Sequence, residues 1–101
     1  MTRLTSKQRA HLRALAHHLK PVAHIGAEGL TEGALLGILE AFNTRELLKV
    51  KVLESAPEGA WETGDAIAER LEGVHVAQTI GRTVVLYRRH PDKPEIHLPG
   101  S

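Results

Sequence analysis

Residues 74–89 read VHVAQTIGRTVVLYRR. Two β-branched runs, Val74–Ile80 and Thr83–Arg88, are separated by Gly81-Arg82 alone. Glycine first in a two-residue loop is the signal of a type II′ hairpin, so the last two strands are expected to pair antiparallel. Upstream of them the pattern changes. ELLKVKVL, residues 46–53, alternates with Leu48, Val50 and Val52 on one side and Leu47, Lys49 and Lys51 on the other. That predicts a strand with one wet face. Between it and the hairpin, residues 55–73 read as a helix. Ser55 and Glu58 have capping-box spacing, Pro57 falls in the first turn, and Trp61, Ile67, Ala68 and Leu71 supply a buried stripe before the stop at Gly73.

The same alternation continues toward the N-terminus. Val22–Ile25 is a short strand, followed by a helix from Thr31 to Phe42. Thr31 suits its N-cap, Leu30 and Leu35 a hydrophobic staple, and Leu35, Ile38, Leu39 and Phe42 its core face, with Asn43 as stop. The first helix opens at Thr5, with Gln8 completing a capping box, and Leu12, Leu15, Ala16 and Leu19 recur at helical spacing as its buried stripe. Arg9, Arg13, His17 and Lys20 form a second stripe about 100° round the helix. Pro21 ends the element. The order is therefore αβαβαββ. Helices join the first three strands and a tight turn joins the last two, which predicts one α+β domain with a four-stranded mixed sheet. Residues 1–90 make up that domain. Residues 91–101, with three prolines, are expected to form an extended, loosely held tail.

Composition narrows the function. The chain has 101 residues and no cysteine, which fits a single domain and excludes disulfides and thiolate metal sites. No apolar run reaches the ~20 residues of a membrane span, and the N-terminus lacks a leader pattern, so a cytoplasmic protein with no membrane partner is expected. Three serines lack nucleophile-elbow context, and seven histidines show no H-x₃-H or H-E-x-x-H spacing. Neither a catalytic centre nor a metal or cofactor site is read here. Net charge is only +1, but it is segregated. Residues 1–27 carry Arg3, Lys7, Arg9, Arg13 and Lys20 and no acid, whereas residues 52–72 carry six acids against Arg70 alone. A basic side and an acidic side suit a polyanion partner, although solvated helix faces would give the same pattern.

Residues 24–33, HIGAEGLTEG, allow two readings. Gly26 and Gly29 form either a plain strand-to-helix turn or a point of close backbone approach by a ligand. The helix N-terminus behind them, capped by Thr31, favours a phosphate. Glu28 at the loop tip opposes one unless its side chain turns aside.

Three segments together, LAHHLKPVAHIGAEGLTEGALLGI, ELLKVKVLE and QTIGRTVVLYRR, resemble the CRM domain (chloroplast RNA splicing and ribosome maturation) in its stand-alone bacterial, YhbY-like form. They lie in order and span Leu15 to Arg89, within a resemblance that runs from Thr5 to Arg89. The resemblance implies an RNA-binding αβαβαββ domain, similar to the C-terminal domain of a bacterial translation initiation factor, that associates with precursors of the large ribosomal subunit. It makes Gly26-Ala27-Glu28-Gly29 the family's GxxG loop. Lys7, Arg9, Arg13, Lys20, Arg82 and Arg88 become expected RNA contacts, with Thr31 holding the helix behind the loop. The tip departs from the family in having Ala27-Glu28 where more polar or basic residues are usual. The expected protein is a non-enzymatic monomer whose partners are ribosomal RNA or its precursor and the precursor large subunit. The alternative is a protein-interaction adaptor that docks a basic ribosomal protein through its acidic third helix. Of three aromatics, Phe42 and Trp61 fall on core stripes, and Tyr87 is open to base stacking or cross-strand packing.

Overall fold

The computed structural model describes residues 4–100; Arg3, counted above in the basic N-terminal segment, lies outside them. The elements are α1 (Ser6–Ala16), β1 (Ala23–Ile25), α2 (Glu32–Ala41), β2 (Leu47–Val52), α3 (Ala60–Arg70), β3 (His75–Ile80) and β4 (Thr83–Tyr87). That is the αβαβαββ order read from the sequence. The strands lie in the order β1-β2-β4-β3. β1 runs parallel to β2, while β4 is antiparallel to both β2 and β3, so the sheet is mixed. Gly81 takes the positive φ, +59°, that a primed hairpin turn requires. A bulge between Val76 and Gln78 lets β3 carry one more residue than β4 across the pairing.

Both faces of the sheet carry helices, which the alternation of β2 did not foretell. On one face α2 and α3 enclose Ile25, Leu35, Ile38, Leu48, Val50, Ile67, Val84 and Leu86. On the other, Leu12 and Ala16 of α1 pack on Leu47, Ala77, Val85 and Tyr87. Leu47, expected on the wet side, is 6% exposed. Alternation says that two faces differ, but a helix that arrives from outside the βαβ units leaves no mark in the strand it will cover.

Three other expectations change. α1 ends at Ala16, with His17 as C-cap, five residues before Pro21. Leu15 is 40% exposed, because the contact with the sheet is a narrow stripe through Leu12 and Ala16. α3 begins at Ala60, its N-cap Gly59 offers no side-chain cap, and Ser55 with Glu58 forms no capping box. Residues 54–58 instead turn, closed by Ala56 N–H donating to the Leu53 carbonyl. Trp61 is 54% exposed and the core face of α3 is Ala60, Thr63, Gly64, Ile67 and Leu71. A Cβ at Gly64 would lie 2.9 Å from Val84 Cγ1, so the helix backbone rests almost on the sheet and no indole fits between.

The tail has no regular structure, yet it is tied down. The Glu46 carboxylate, 5% exposed, accepts backbone N–H bonds from His90, Glu95 and Ile96. Burial alone would raise the Glu46 pKa, but these donors and neighbouring His90 outweigh it, and the pKa is lowered. Ile96 and Leu98 pack against the α1-side core, and Gln8 Nε2 donates to the Pro99 carbonyl.

Candidate nucleic-acid interface

α1 and the tail cover only the half of their sheet face that holds Leu47, Ala77, Val85 and Tyr87. The register defines what the other half exposes. His24 pairs with Lys51, Lys51 with Thr83, and Thr83 with Ile80, so one cross-strand row runs over all four strands. His24, Lys51 and Ile80 are exposed and Thr83 is half-buried. Beneath it lies the row Lys49–Val85–Gln78, whose central Val85 is buried against α1. With strands ~4.8 Å apart, the upper row spans ~14 Å.

The wall of this surface is α1. Ser6, Arg9, Arg13 and His17, one flank of the helix, line a groove of about 710 Å³ with Gln78 at its edge. The C-terminal end of α1 is held to the floor, because Lys49 Nζ donates to the His17 carbonyl at 3.3 Å. At the rim, the glycine loop and the hairpin tip meet at the same end of the sheet. Leu53 N–H donates to the Ile25 carbonyl and Val52 N–H to the Arg82 carbonyl, while Arg82 Nη1 donates to the Leu53 carbonyl at 3.4 Å.

The loop itself is a turn, closed by Gly29 N–H donating to the Gly26 carbonyl at 2.9 Å. Gly29 has φ +72°, and a Cβ there would lie 3.0 Å from Pro57 Cγ. Gly26 has no such constraint: a Cβ would meet Leu53 and Ser55 at ordinary contact distances of 3.7 and 3.8 Å. Ala27 and Glu28 are exposed at the tip. Behind it Thr31 caps α2, its hydroxyl accepting from Ala34 N–H at 3.1 Å. Glu32, in the first turn of α2, is paired with Arg70 of α3.

The structure thus places Arg9 and Arg13 in the groove beside β3, the Gly26–Gly29 loop and Arg82 at one end of the sheet, Thr31 at the start of α2 and Lys20 on the segment that leads from α1 into β1. It does not bring all the expected contacts together. Lys7, six residues before Arg13, lies about 120° round the helix from it and does not line the groove. Arg88 sits beyond the far end of β4 from Arg82, its guanidinium Nε 3.6 Å from where a Cβ on Gly73 would be, on the α2–α3 side. Tyr87 is 5% exposed with its ring 6.4 Å from that of His75, which makes it a packing residue. Burial raises its pKa, as Glu46 does to a lesser degree, so its phenol stays neutral. The additional residues are Lys49, Lys51 and His24. Their polar side of the alternation was visible, but only the strand order puts them beside Arg82 and the α1 flank. Glu28 is the one carboxylate among these residues.

Among the described residues no three potential ligands cluster as a metal site, and no helix is long and apolar enough to cross a membrane.

Comparison with known proteins bears on this arrangement. A sequence model of the CRS1 / YhbY (CRM) domain matches residues 4–88. The chain is 44% identical to a Haemophilus influenzae protein named RNA-binding protein, over 98% of each. It is 38% identical to YqeI of Bacillus subtilis, over 95% of this chain and 99% of that one. In three dimensions it is similar to the solution structure of SAV1595 from Staphylococcus aureus, with a TM-score of 0.80 and 35% identity, covering 95% of this chain and 99% of the other. The match runs from the start of α1 to the end of β4 and includes every element of the sheet and its cationic face; the chain belongs to the CRS1 / YhbY (CRM) domain family.

Proposed function

We propose that this chain is a non-enzymatic RNA-binding protein that joins the precursor of the large ribosomal subunit during assembly, as a cytoplasmic monomer. The observation that carries the reading is the open sheet face. Lys49 and Lys51 lie on its floor, Arg9 and Arg13 on its wall and Arg82 on its rim, with Glu28 at the loop tip and Arg9 also bordering the groove that holds Glu58, Glu62, Asp65 and Glu69. Cations so arranged hold phosphates, and their binding is sequence-tolerant and salt-sensitive. The glycine loop brings backbone, not charge, to the edge of that face. A relative named for RNA binding supports the class of partner. Crosslinking the protein to RNA in cells and mapping the sites tests the assignment. Large-subunit precursor RNA should dominate the crosslinks; crosslinks scattered in proportion to RNA abundance would refute the assembly role.

A second reading, the adaptor, is favoured by one observation. Trp61 is exposed within a groove of about 830 Å³ beside β3, lined also by Glu58, Glu62, Asp65 and Glu69. Raising salt should strip RNA from the cationic face far more than it weakens a mixed protein interface built on an indole. Co-purification with a basic protein that survives both high salt and nuclease would favour the adaptor.

A further inference from the structure

Resting on the RNA reading above, we infer that the open face takes the backbone of paired RNA across its minor groove, not splayed single-stranded bases. A four-stranded sheet that reads single strands does so with exposed rings on which bases stack. This sheet has none to offer on its central strands. Phe42 is 4% and Tyr87 5% exposed, and Trp61 lies on α3 among carboxylates, in the groove beside β3. His24 is the one ring on the floor, at the β1 edge, and His17 and His18 meet each other edge-on with centroids 5.9 Å apart.

What the face does carry is two cationic lines with a neutral strip between them. Lys49 and Lys51 project from β2, and Arg9 and Arg13 project from α1 above Gln78 of β3. β2 and β3 are two strand spacings apart, ~10 Å, with β4 between them. The strip consists of Gln78, Thr83 and Ile80, with Val85 buried against α1. Two phosphate lines flanking a shallow surface of 2′-hydroxyls are what an A-form minor groove presents. The Gln78 amide and the Thr83 hydroxyl can donate to or accept from a 2′-OH, and exposed Ile80 adds no charge between the two lines. A stacked single strand, by contrast, would lay its bases on aliphatic and ammonium groups.

The test compares three probes at equal salt: an RNA duplex of about 16 base pairs, one of its strands alone, and the B-form DNA duplex of the same sequence. The full-length protein should bind the RNA duplex roughly tenfold or more tighter than either other probe. The DNA arm controls for charge density, and Thr83→Val, which keeps the β-branched shape and removes the hydroxyl, should narrow the RNA-over-DNA preference. Single-stranded RNA bound as tightly as the duplex, or DNA duplex bound as tightly as RNA, would overturn the inference while leaving the RNA reading intact. Failure to bind any RNA form would overturn that reading and the inference with it.

Discussion

At Gly29 the backbone adopts φ +72° with Pro57 closing the space a side chain would use; at Gly26 it does neither. The two glycines therefore have different reasons to be there. Gly29→Ala should cost about 1–2 kcal/mol for the left-handed residue alone, more if Pro57 must shift, read as a lower denaturation midpoint. Gly26→Ala, whose Cβ would meet Leu53 and Ser55 at ordinary contact distances, should leave the midpoint nearly unchanged and, on the RNA reading, weaken RNA binding severalfold by stiffening the loop backbone. A Gly26 variant with parent affinity would make the loop a turn and nothing more. Glu46 offers a second residue-scale prediction. Its folded pKa lies below its unfolded value, so its contribution to stability is complete above the unfolded pKa. As pH falls toward the folded pKa, the unfolded chain takes up the proton first and that contribution is lost. Glu46→Gln cannot accept three amides, and should cost about 1–3 kcal/mol at neutral pH while flattening the acid limb of the stability curve. Equal acid sensitivity in parent and variant would show that other carboxylates set it.

The elements show how far the sequence could be read. Hairpin glycine, capping Thr5 and Thr31, and the alternation of β2 each act within a few residues, so they were legible, and the mixed sheet followed from them. α3 was placed but rotated wrongly. Trp61 drew the stripe toward itself because size usually marks the core, whereas this helix approaches the sheet through Ala60, Thr63 and Gly64. That geometry makes a prediction. Gly64→Ala raises helix propensity by about 1 kcal/mol, yet its Cβ would sit 2.9 Å from Val84 Cγ1 and 3.2 Å from Val76 Cγ2. Overpacking of about 1–3 kcal/mol should win, and thermal unfolding should report a net loss. A more stable variant would mean that α3 can lift off the sheet at little cost.

At the scale of the whole molecule, the candidate site was half legible. Arg9, Arg13 and the glycine loop declared themselves by local pattern. Lys49, Lys51 and His24 did not, because their partnership depends on β1-β2-β4-β3 order and on α1 leaving that corner of the sheet uncovered. The same order sends Arg88 to the opposite end of β4 from Arg82. The RNA face on the reading proposed above is this uncovered, α1-side corner. That claim is tested most directly by the salt dependence of RNA-hairpin binding for the Lys49→Ala, Lys51→Ala double variant, with Arg88→Ala as comparison. The double variant should bind more weakly, with the magnitude of its log–log salt slope reduced by roughly 0.7 to 0.9 for each lysine, while Arg88→Ala keeps the parent slope. A double variant with the parent's affinity and slope, or an Arg88 variant that loses both, would contradict the claim.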